Sequence, residues 1–143
     1  MKRVASDFLP DERTTLAYAE KLQIFLRPGA LVFLRGELGA GKTTLVRGIL
    51  RRLGHEGSVK SPTYTLLEPY ETGSGDVFHF DFYRIADSSE LDFIGIDELI
   101  ESKAIKFVEW AERVSSRLPE PDLEIRLEVE GAGRTIEVYE NVQ

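Results

Sequence analysis

The feature that most constrains the fold of this chain is a glycine-rich octapeptide, GELGAGKT, at residues 36–43. It matches the phosphate-binding loop pattern G-x-x-x-x-G-K-[ST] at every fixed position. An apolar run at 30–34 precedes it, and apolar residues with helical spacing follow it. A strand, a glycine-rich turn and a helix in this order indicate a site for nucleotide phosphates, whereas a turn that contains Lys-Thr by chance would lack this context.

Each part of this loop has a role in the predicted site. The glycines let successive backbone N–H groups point at phosphate oxygens, and the helix N-terminus favours the same negative charge. We expect Lys42 to reach the β- and γ-phosphates and to take part in catalysis, and the Thr43 hydroxyl to ligate Mg²⁺. The predicted phosphate-binding residues are Gly36, Glu37, Leu38, Gly39, Ala40, Gly41, Lys42, Thr43 and Thr44.

Length and charge limit the remaining possibilities. A chain of 143 residues, 42% of them hydrophobic, predicts one globular domain over residues 1–143. The formal net charge of −7 argues against a protein that grips nucleic acid by itself, so any RNA is expected to be reached through a partner. The absence of cysteine excludes disulfides and thiolate metal sites. No stretch has the length of a signal peptide or membrane span, and we expect a cytosolic protein.

Hydrophobic periodicity predicts helices alternating with strands. The predicted segments are a helix over 11–26, a strand over 30–34, a helix from the loop to Leu53, a hairpin over 64–70 and 77–83, short helices from Asp87 and over 97–101, a buried strand over 104–110, and a hairpin over 123–129 and 134–139 with one solvent-exposed face. This order predicts an α/β fold: a three-layer sheet that is parallel around the phosphate site and antiparallel in its edge hairpins.

Two acidic residues at strand ends are candidates for the magnesium site. Glu109 closes one apolar strand, and Asp81 lies in another, among aromatic residues. Because the carboxyl ends of parallel strands meet at the ligand crevice, either carboxylate could reach an ion held by Thr43. The alternative for Glu109 is a solvated charge after a buried strand. The alternative for Asp81 is a buried structural carboxylate paired with Arg84 or His79.

A proline-containing segment, SPTY at residues 61–64, lies between the loop helix and the first hairpin. In nucleotide switches, a hydroxyl or backbone group at this topological position senses the γ-phosphate and its ion. Thr63 is the candidate for that role. The alternative is a proline turn that only opens the following strand.

The nucleotide class follows from what the chain lacks. A GTPase would carry an Asn-Lys-x-Asp guanine reader, and the single asparagine, Asn141, lies two residues from the end. A small-molecule kinase needs a substrate lid and arginines that clamp the phosphoryl group, yet the stretch 84–103 is acidic. ATP hydrolysis coupled to a partner is the simplest interpretation.

Four motifs together resemble one family, the bacterial TsaE proteins, also called YjeE. The motifs are GELGAGKTT at 36–44, SPTYTL at 61–66, HFDFYR at 79–84 and EW at 109–110, with GI at 95–96 and LP at 118–119 also in order. They extend over nearly the whole chain and are far more specific than the loop alone. The one departure is Phe82, where the family more often has leucine, a conservative change.

The resemblance implies a function beyond what the residues themselves indicate. TsaE proteins bind and hydrolyse ATP with Mg²⁺ in the synthesis of threonylcarbamoyladenosine at position 37 of tRNA. They work with TsaB and with TsaD, which transfers the threonylcarbamoyl group. By similarity, Thr43 and Glu109 would hold Mg²⁺, and Thr63 with Asp81 would line the γ-phosphate side as catalytic residues. Thr15, Trp110 and Arg134 would lie near the base and ribose.

Two functions of different classes remain open from the sequence. The protein is either an ATPase whose hydrolysis resets the transferase complex, or a nucleotide-dependent binding module in which occupancy alone controls assembly. No motif places a basic residue as an arginine finger within the chain, although Arg84 and Arg134 are possible. We therefore expect slow intrinsic turnover that a partner stimulates.

Overall fold

The computed structural model describes residues 1–142 as a mixed β-sheet with helices on both faces. The strands are β1 (Lys2–Leu9), β2 (Leu31–Arg35), β3 (Leu67–Thr72), β4 (Gly75–Asp81), β5 (Ile105–Glu109), β6 (Leu123–Glu130) and β7 (Gly133–Glu140). The α-helices are α1 (Glu12–Ala17), α2 (Ala19–Leu22), α3 (Lys42–Arg52) and α4 (Ile96–Glu101). Three 3₁₀ helices span Gln23–Phe25, Ser88–Ile94 and Ala111–Arg117.

The strand order is β1-β7-β6-β2-β5-β4-β3, with β2 in the centre. Strand β2 runs parallel to both β5 and β6, and β4 runs parallel to β5. The pairs β3–β4, β6–β7 and β1–β7 are antiparallel. The predicted fold class, parallel around the phosphate site and antiparallel at the edges, is confirmed.

Each face of the sheet carries its own apolar core. Helices α1, α2 and α3 cover one face, where Leu45, Val46 and Ile49 of α3 are fully buried. Phe80 and Phe82 point to the opposite face and pack in a second core under α4 and the 3₁₀ helices 88–94 and 111–117. The first core includes residues of β6 and β7, whereas the second does not. The outer face of that hairpin is therefore polar, as its alternating sequence predicts.

Residues 11–26 do not form the single predicted helix. The helical path changes at Tyr18, whose N–H is shared between the carbonyl oxygens of Thr14 and Thr15, at 3.0 and 3.3 Å. Such sharing tightens an α-helix toward 3₁₀ geometry. Helix α1 also approaches α3 closely, because a Cβ atom added to Gly48 would lie 2.5 Å from the Leu16 carbonyl oxygen. Only glycine permits this contact between the two backbones.

The start of one strand and the presence of another also differ from the sequence prediction. The strand predicted over 64–70 begins at Leu67, because Leu66 adopts a φ of +67° and its N–H closes a turn onto the Pro62 carbonyl. Strand β1 was not predicted. Half of its residues are exposed and its apolar residues do not alternate, so β1 carries little periodic signal.

Among residues 1–142, no helix is both long and apolar enough to cross a bilayer.

Candidate nucleotide-binding site

The glycine-rich loop joins the carboxyl end of β2 to the first turn of α3, as the sequence predicts. Gly41 directly precedes the helix with a φ of +102°, a left-handed conformation that side-chain-bearing residues rarely adopt. Its carbonyl accepts the first α-helical hydrogen bond, from the Leu45 N–H at 2.9 Å. Within the loop, the Ala40 N–H closes a turn onto the Glu37 carbonyl at 3.0 Å. The helix N-terminus is thus directed at the loop.

Lys42 lies at the inner edge of this loop and is only 5% exposed. Its amine donates to the Gly36 carbonyl at 2.6 Å and forms an ion pair with Glu109 at 3.3 Å. It also lies 5.0 Å from the centre of the Trp110 ring. A buried ammonium needs such partners, because its desolvation would otherwise be costly. Thr43, the next residue, is half-buried in the first turn of α3.

Glu109 is buried at the end of β5, so the structure excludes the alternative of a solvated charge. One carboxylate oxygen faces Lys42 and the other lies 2.6 Å from His79 Nε2. Burial opposes ionisation, but the hydrogen bond and charge of His79 and the charge of Lys42 outweigh it. Together they hold the pKa of Glu109 below its usual range. Glu109 is therefore a carboxylate, the form that binds a cation.

Sequence reasoning considered His79 only as a partner of Asp81, and this pairing is wrong. His79 is completely buried, and its hydrogen bond goes to Glu109. The signal for this contact is the alternation in β4, where His79 and Asp81 share one sheet face while Phe78 and Phe80 point to the other. The parallel register places Asp81 beside Glu109, which brings all three polar side chains together.

Asp81 is 1% exposed and is held by two donors. The Tyr83 N–H donates to one oxygen at 2.9 Å, and the Thr63 hydroxyl donates to the other at 3.1 Å. Arg84 does not pair with it and instead stacks on Tyr64, 4.3 Å from the ring centre. Burial, reinforced by the neighbouring charge of Glu109, raises the pKa of Asp81 despite these hydrogen bonds.

Thr63 connects the proline-containing segment to the sheet. Its hydroxyl lies 2.8 Å from the Ser61 hydroxyl and donates to Asp81. The segment is therefore attached to the same carboxylate that lies next to Glu109. This arrangement suits a segment that responds to the γ-phosphate, and that role stays a prediction.

The raised pKa of Asp81 predicts a pH-dependent gain in stability for Asp81→Asn. The pKa of Asp81 is higher in the folded protein than in the unfolded chain, because the folded state disfavours its charge. The stability of the wild type therefore falls as the pH rises from the unfolded-state pKa to the folded-state pKa. The amide has the same shape and can bond to Tyr83 and Thr63. We expect thermal unfolding at pH 8 to show a higher midpoint for the variant, and the difference in midpoint to narrow as the pH falls through the raised folded-state pKa of Asp81. A lower midpoint at pH 8 would contradict the prediction.

Trp110 follows Glu109 directly and turns with a φ of +58°. Its ring packs on Tyr83, with centroids 4.8 Å apart, and its Nε1 has no hydrogen-bond partner within residues 1–142. With Gly36 and Lys42, it lines a cleft of about 630 Å³ that continues over the polar face of β6 and β7. The structure thus places Trp110 at the Lys42 end of the loop.

Thr15 and Arg134 lie together at a second cavity beside the loop. With Gly41 and Thr44, they line a separate cavity of about 120 Å³. The Thr15 hydroxyl donates to the Asp11 carbonyl at 3.2 Å, and the Arg134 side chain bonds to loop carbonyls. The resemblance groups Trp110 with these two residues, whereas Trp110 lines the larger cleft and not this cavity. Contact of any of the three with a base or ribose stays a prediction.

The position of Trp110 predicts a fluorescence response to nucleotide. Because the ring lies over the Lys42 amine, movement of that amine toward a phosphate changes the charge next to the indole. We expect Mg²⁺-ADP and Mg²⁺-ATP to shift the emission of the wild type in a saturable titration. Lys42→Ala should remove the response. Emission that stays constant with both nucleotides would leave Trp110 as a core aromatic residue.

Residues 9–136 match the sequence model of the family described as Threonylcarbamoyl adenosine biosynthesis protein TsaE. The chain therefore belongs to the TsaE family. A TsaE protein of Haemophilus influenzae is 41% identical over 138 residues, which cover 93% of this chain and 87% of that one. The Bacillus subtilis TsaE protein is 39% identical over 116 residues, covering 81% and 71%.

A solved structure supports the same assignment. The crystal structure of Bacillus subtilis YdiB superimposes with a TM-score of 0.80 at 29% identity, covering 96% of this chain and 84% of that one. The names of the TsaE relatives place them in tRNA threonylcarbamoyladenosine biosynthesis. Membership of this family, together with the fold, confirms the resemblance stated from the four motifs.

The residues at the loop fit a nucleotide with a magnesium ion. Two glycines allow the path of the loop: a Cβ on Gly36 would lie 2.6 Å from the Leu127 carbonyl oxygen, and Gly41 has a φ of +102°. The ammonium of Lys42 suits phosphate oxygens, and the carboxylate of Glu109 is a hard oxygen ligand. Glu109 lies 3.3 Å from Lys42, so one site offers both kinds of group.

Proposed function

We propose that this TsaE protein binds and hydrolyses ATP with Mg²⁺ in the machinery that makes threonylcarbamoyladenosine at position 37 of tRNA. It acts there with TsaB and TsaD in the cytoplasm and contacts tRNA only through that complex. Membership of the family supports the pathway. The observation that supports the ATP site is the buried Lys42 amine at the mouth of the loop, paired with Glu109.

The residues of the chain divide the work at the phosphates. The loop N–H groups and the start of α3 would hold the phosphate oxygens, and Lys42 would exchange its contact with Glu109 for the β- and γ-phosphates. Thr43 and Glu109 would hold Mg²⁺, which supplies charge neutralisation during phosphoryl transfer. Asp81 and Thr63, bonded to each other at 3.1 Å, would orient the attacking water.

The arginines near the site favour a slow intrinsic reaction. Arg84 stacks on Tyr64, and the Arg134 guanidinium donates to the carbonyls of Gly39 and Ala40. Both arginine side chains are therefore engaged with other groups. Neither is paired at the site beside Lys42, where the γ-phosphoryl group would develop charge during transfer. A cation from TsaB or TsaD would supply the missing charge, as arginine fingers do in other P-loop proteins.

The engagement of Arg84 and Arg134 with other groups also favours a second candidate function. If no partner supplies a cation, the protein is a nucleotide-dependent binding module in which ATP occupancy controls assembly and hydrolysis is incidental. The segment 61–66, attached to Asp81 through Thr63, would then order around the γ-phosphate and contact the partner.

One experiment separates the two candidates. Multi-turnover tRNA modification is measured with TsaB and TsaD, using either ATP or a non-hydrolysable analogue, and complex formation is measured in parallel. We expect both nucleotides to support assembly, but only ATP to support repeated cycles. Equal numbers of cycles with the analogue would support the binding module and contradict the ATPase role.

The two buried carboxylates should respond differently to substitution. Glu109→Gln keeps the shape and a hydrogen bond to His79 but removes the charge for the ion, so we expect a higher Mg²⁺ concentration for half-maximal turnover. Asp81→Asn should lower turnover at saturating Mg²⁺ without this shift. Titration of Mg²⁺ against ATPase rate tests both variants under matched conditions. The reverse pattern would exchange their assignments.

A further inference from the structure

The geometry points to Arg134 as a positioning residue that fixes the phosphate-binding loop through its carbonyl groups. This inference rests on the nucleotide binding in the proposed function and assigns the residue that shapes the binding loop. It differs from the role implied by family resemblance, in which Arg134 contacts the base or ribose.

Arg134 is the second residue of β7, where its main chain lies between two strands. It is opposite Leu9 of β1 and Val129 of β6. Its Nε donates to the Ala40 carbonyl at 2.9 Å, and one Nη donates to the Gly39 carbonyl at 3.1 Å. The other Nη donates to the Gly133 carbonyl at 2.9 Å, which orients the guanidinium itself. A charged, planar fork on a fixed strand therefore holds two consecutive loop carbonyls.

These contacts determine where a loop N–H group points. The Ala40 carbonyl and the Gly41 N–H belong to one planar trans peptide, so they point in opposite directions. Anchoring this carbonyl on Arg134 therefore turns the Gly41 N–H away from Arg134. Donation to the carbonyl also polarises the peptide and strengthens its N–H as a donor. Arg134 therefore orients a phosphate-binding group without touching the phosphate.

The loop needs such an anchor because its outer part is exposed. Leu38 is 62% exposed, and Gly39 is also exposed, so apolar packing does not fix this segment. Inside the loop, one turn bond joins the Ala40 N–H to the Glu37 carbonyl. The two bonds from Arg134 are charge-assisted, which makes them stronger than bonds between neutral groups.

The alternative roles make different demands on this side chain. An arginine finger would have to leave both loop carbonyls to reach the γ-phosphate beside Lys42. A ribose or base contact would leave the affinity of the loop for a bare phosphate chain unchanged when Arg134 is replaced. A positioning role predicts the opposite, because the loop itself would lose its arrangement.

The test compares Arg134→Gln and Arg134→Lys with the wild type, and Arg3→Gln serves as the matched control. Arg3 lies on the neighbouring β1 and forms an exposed ion pair with Glu137 of β7. Calorimetry measures the binding of Mg²⁺-ATP, Mg²⁺-ADP and Mg²⁺-pyrophosphate. We expect Arg134→Gln to weaken all three by about tenfold to a hundredfold, as small misplacements of binding groups do. Arg134→Lys should lose part of this affinity, because it keeps the charge but not the fork, and Arg3→Gln should match the wild type.

Hydrogen exchange gives a readout that does not depend on bound nucleotide or activity. In Arg134→Gln, the amides of residues 39–41 should exchange faster, while those of β5 stay unchanged and the thermal midpoint stays close to that of the wild type. Unchanged pyrophosphate affinity with weaker ATP binding would overturn the inference in favour of a base or ribose contact. Unchanged affinity for all three ligands with slower turnover would overturn it in favour of an arginine finger. A wild type that binds none of the ligands would instead contradict the proposed function.

Discussion

Replacement of Lys42 by alanine is expected to weaken ATP binding by about 30- to 1,000-fold, equivalent to about 2 to 4 kcal/mol. The loss is large because the Lys42 amine is buried beside the loop, where it donates to the Gly36 carbonyl. An aliphatic side chain leaves the loop amides but removes the charge that meets the β- and γ-phosphates. Calorimetry with Mg²⁺-ATP measures the change directly, and turnover should fall with it.

The control for Lys42→Ala addresses the partner that it leaves behind. Without Lys42, the side chain of the buried Glu109 keeps His79 as its one close partner among residues 1–142, and a carboxylate with less compensation destabilises the fold. The double variant Lys42→Ala/Glu109→Gln removes both charges and should recover the unfolding midpoint without recovering ATP affinity. A folded single variant that binds ATP as tightly as the wild type would end the phosphate-loop interpretation.

Addition of TsaB and TsaD is expected to raise the ATPase rate on the order of 10³-fold, the range found when a partner supplies a transition-state cation. The reason lies in the engaged arginines: Arg134 donates to loop carbonyls, and Arg84 stacks on Tyr64. Contact would also order the segment 61–66 over the γ-phosphate, so that assembly and hydrolysis become linked. Steady-state ATPase assays with purified partners measure the increase.

The partner prediction has a second part that concerns tRNA. With a net charge of −7, the isolated chain should bind tRNA only weakly and non-specifically. For the ATPase assay, the Lys42→Ala variant serves as the control, since its ATPase rate should stay low with or without TsaB and TsaD. Absence of a complex in every nucleotide state, or tight tRNA binding by this chain alone, would count against the proposed pathway role while leaving the ATP site intact.

The elements that the sequence predicts well are those with a strong local pattern. The glycine-rich loop has fixed positions that specify one backbone path, and β5 is a short apolar run that ends in Glu109. Strand β1 was not predicted, because an edge strand does not need periodically spaced apolar residues. The break at Tyr18 was not predicted because the shared hydrogen bond of its N–H leaves no mark on the hydrophobic periodicity.

The contacts within the site depend on strand register, which a single sequence does not contain. The sequence predicted that Asp81 and Glu109 lie at the crevice. It did not predict the groups that hydrogen-bond to these two carboxylates. His79 bonds to Glu109 because β4 and β5 pair in parallel with Asp81 beside Glu109. Arg134 is 94 residues from Ala40 in the chain, and only the pairing of β7 with β1 and β6 brings its side chain to the loop.

The ion pair between Lys42 and Glu109 would couple the binding of the nucleotide to the binding of the ion at the proposed site. Each side chain neutralises the other across 3.3 Å, so neither is free for a ligand that arrives alone. A phosphate chain that draws Lys42 away leaves Glu109 without this counter-charge, and a cation that draws Glu109 away does the same to Lys42. When both arrive together, each charge exchanges one partner for another. If the proposed function holds, we expect the nucleotide and the ion to bind together more tightly than either binds by itself.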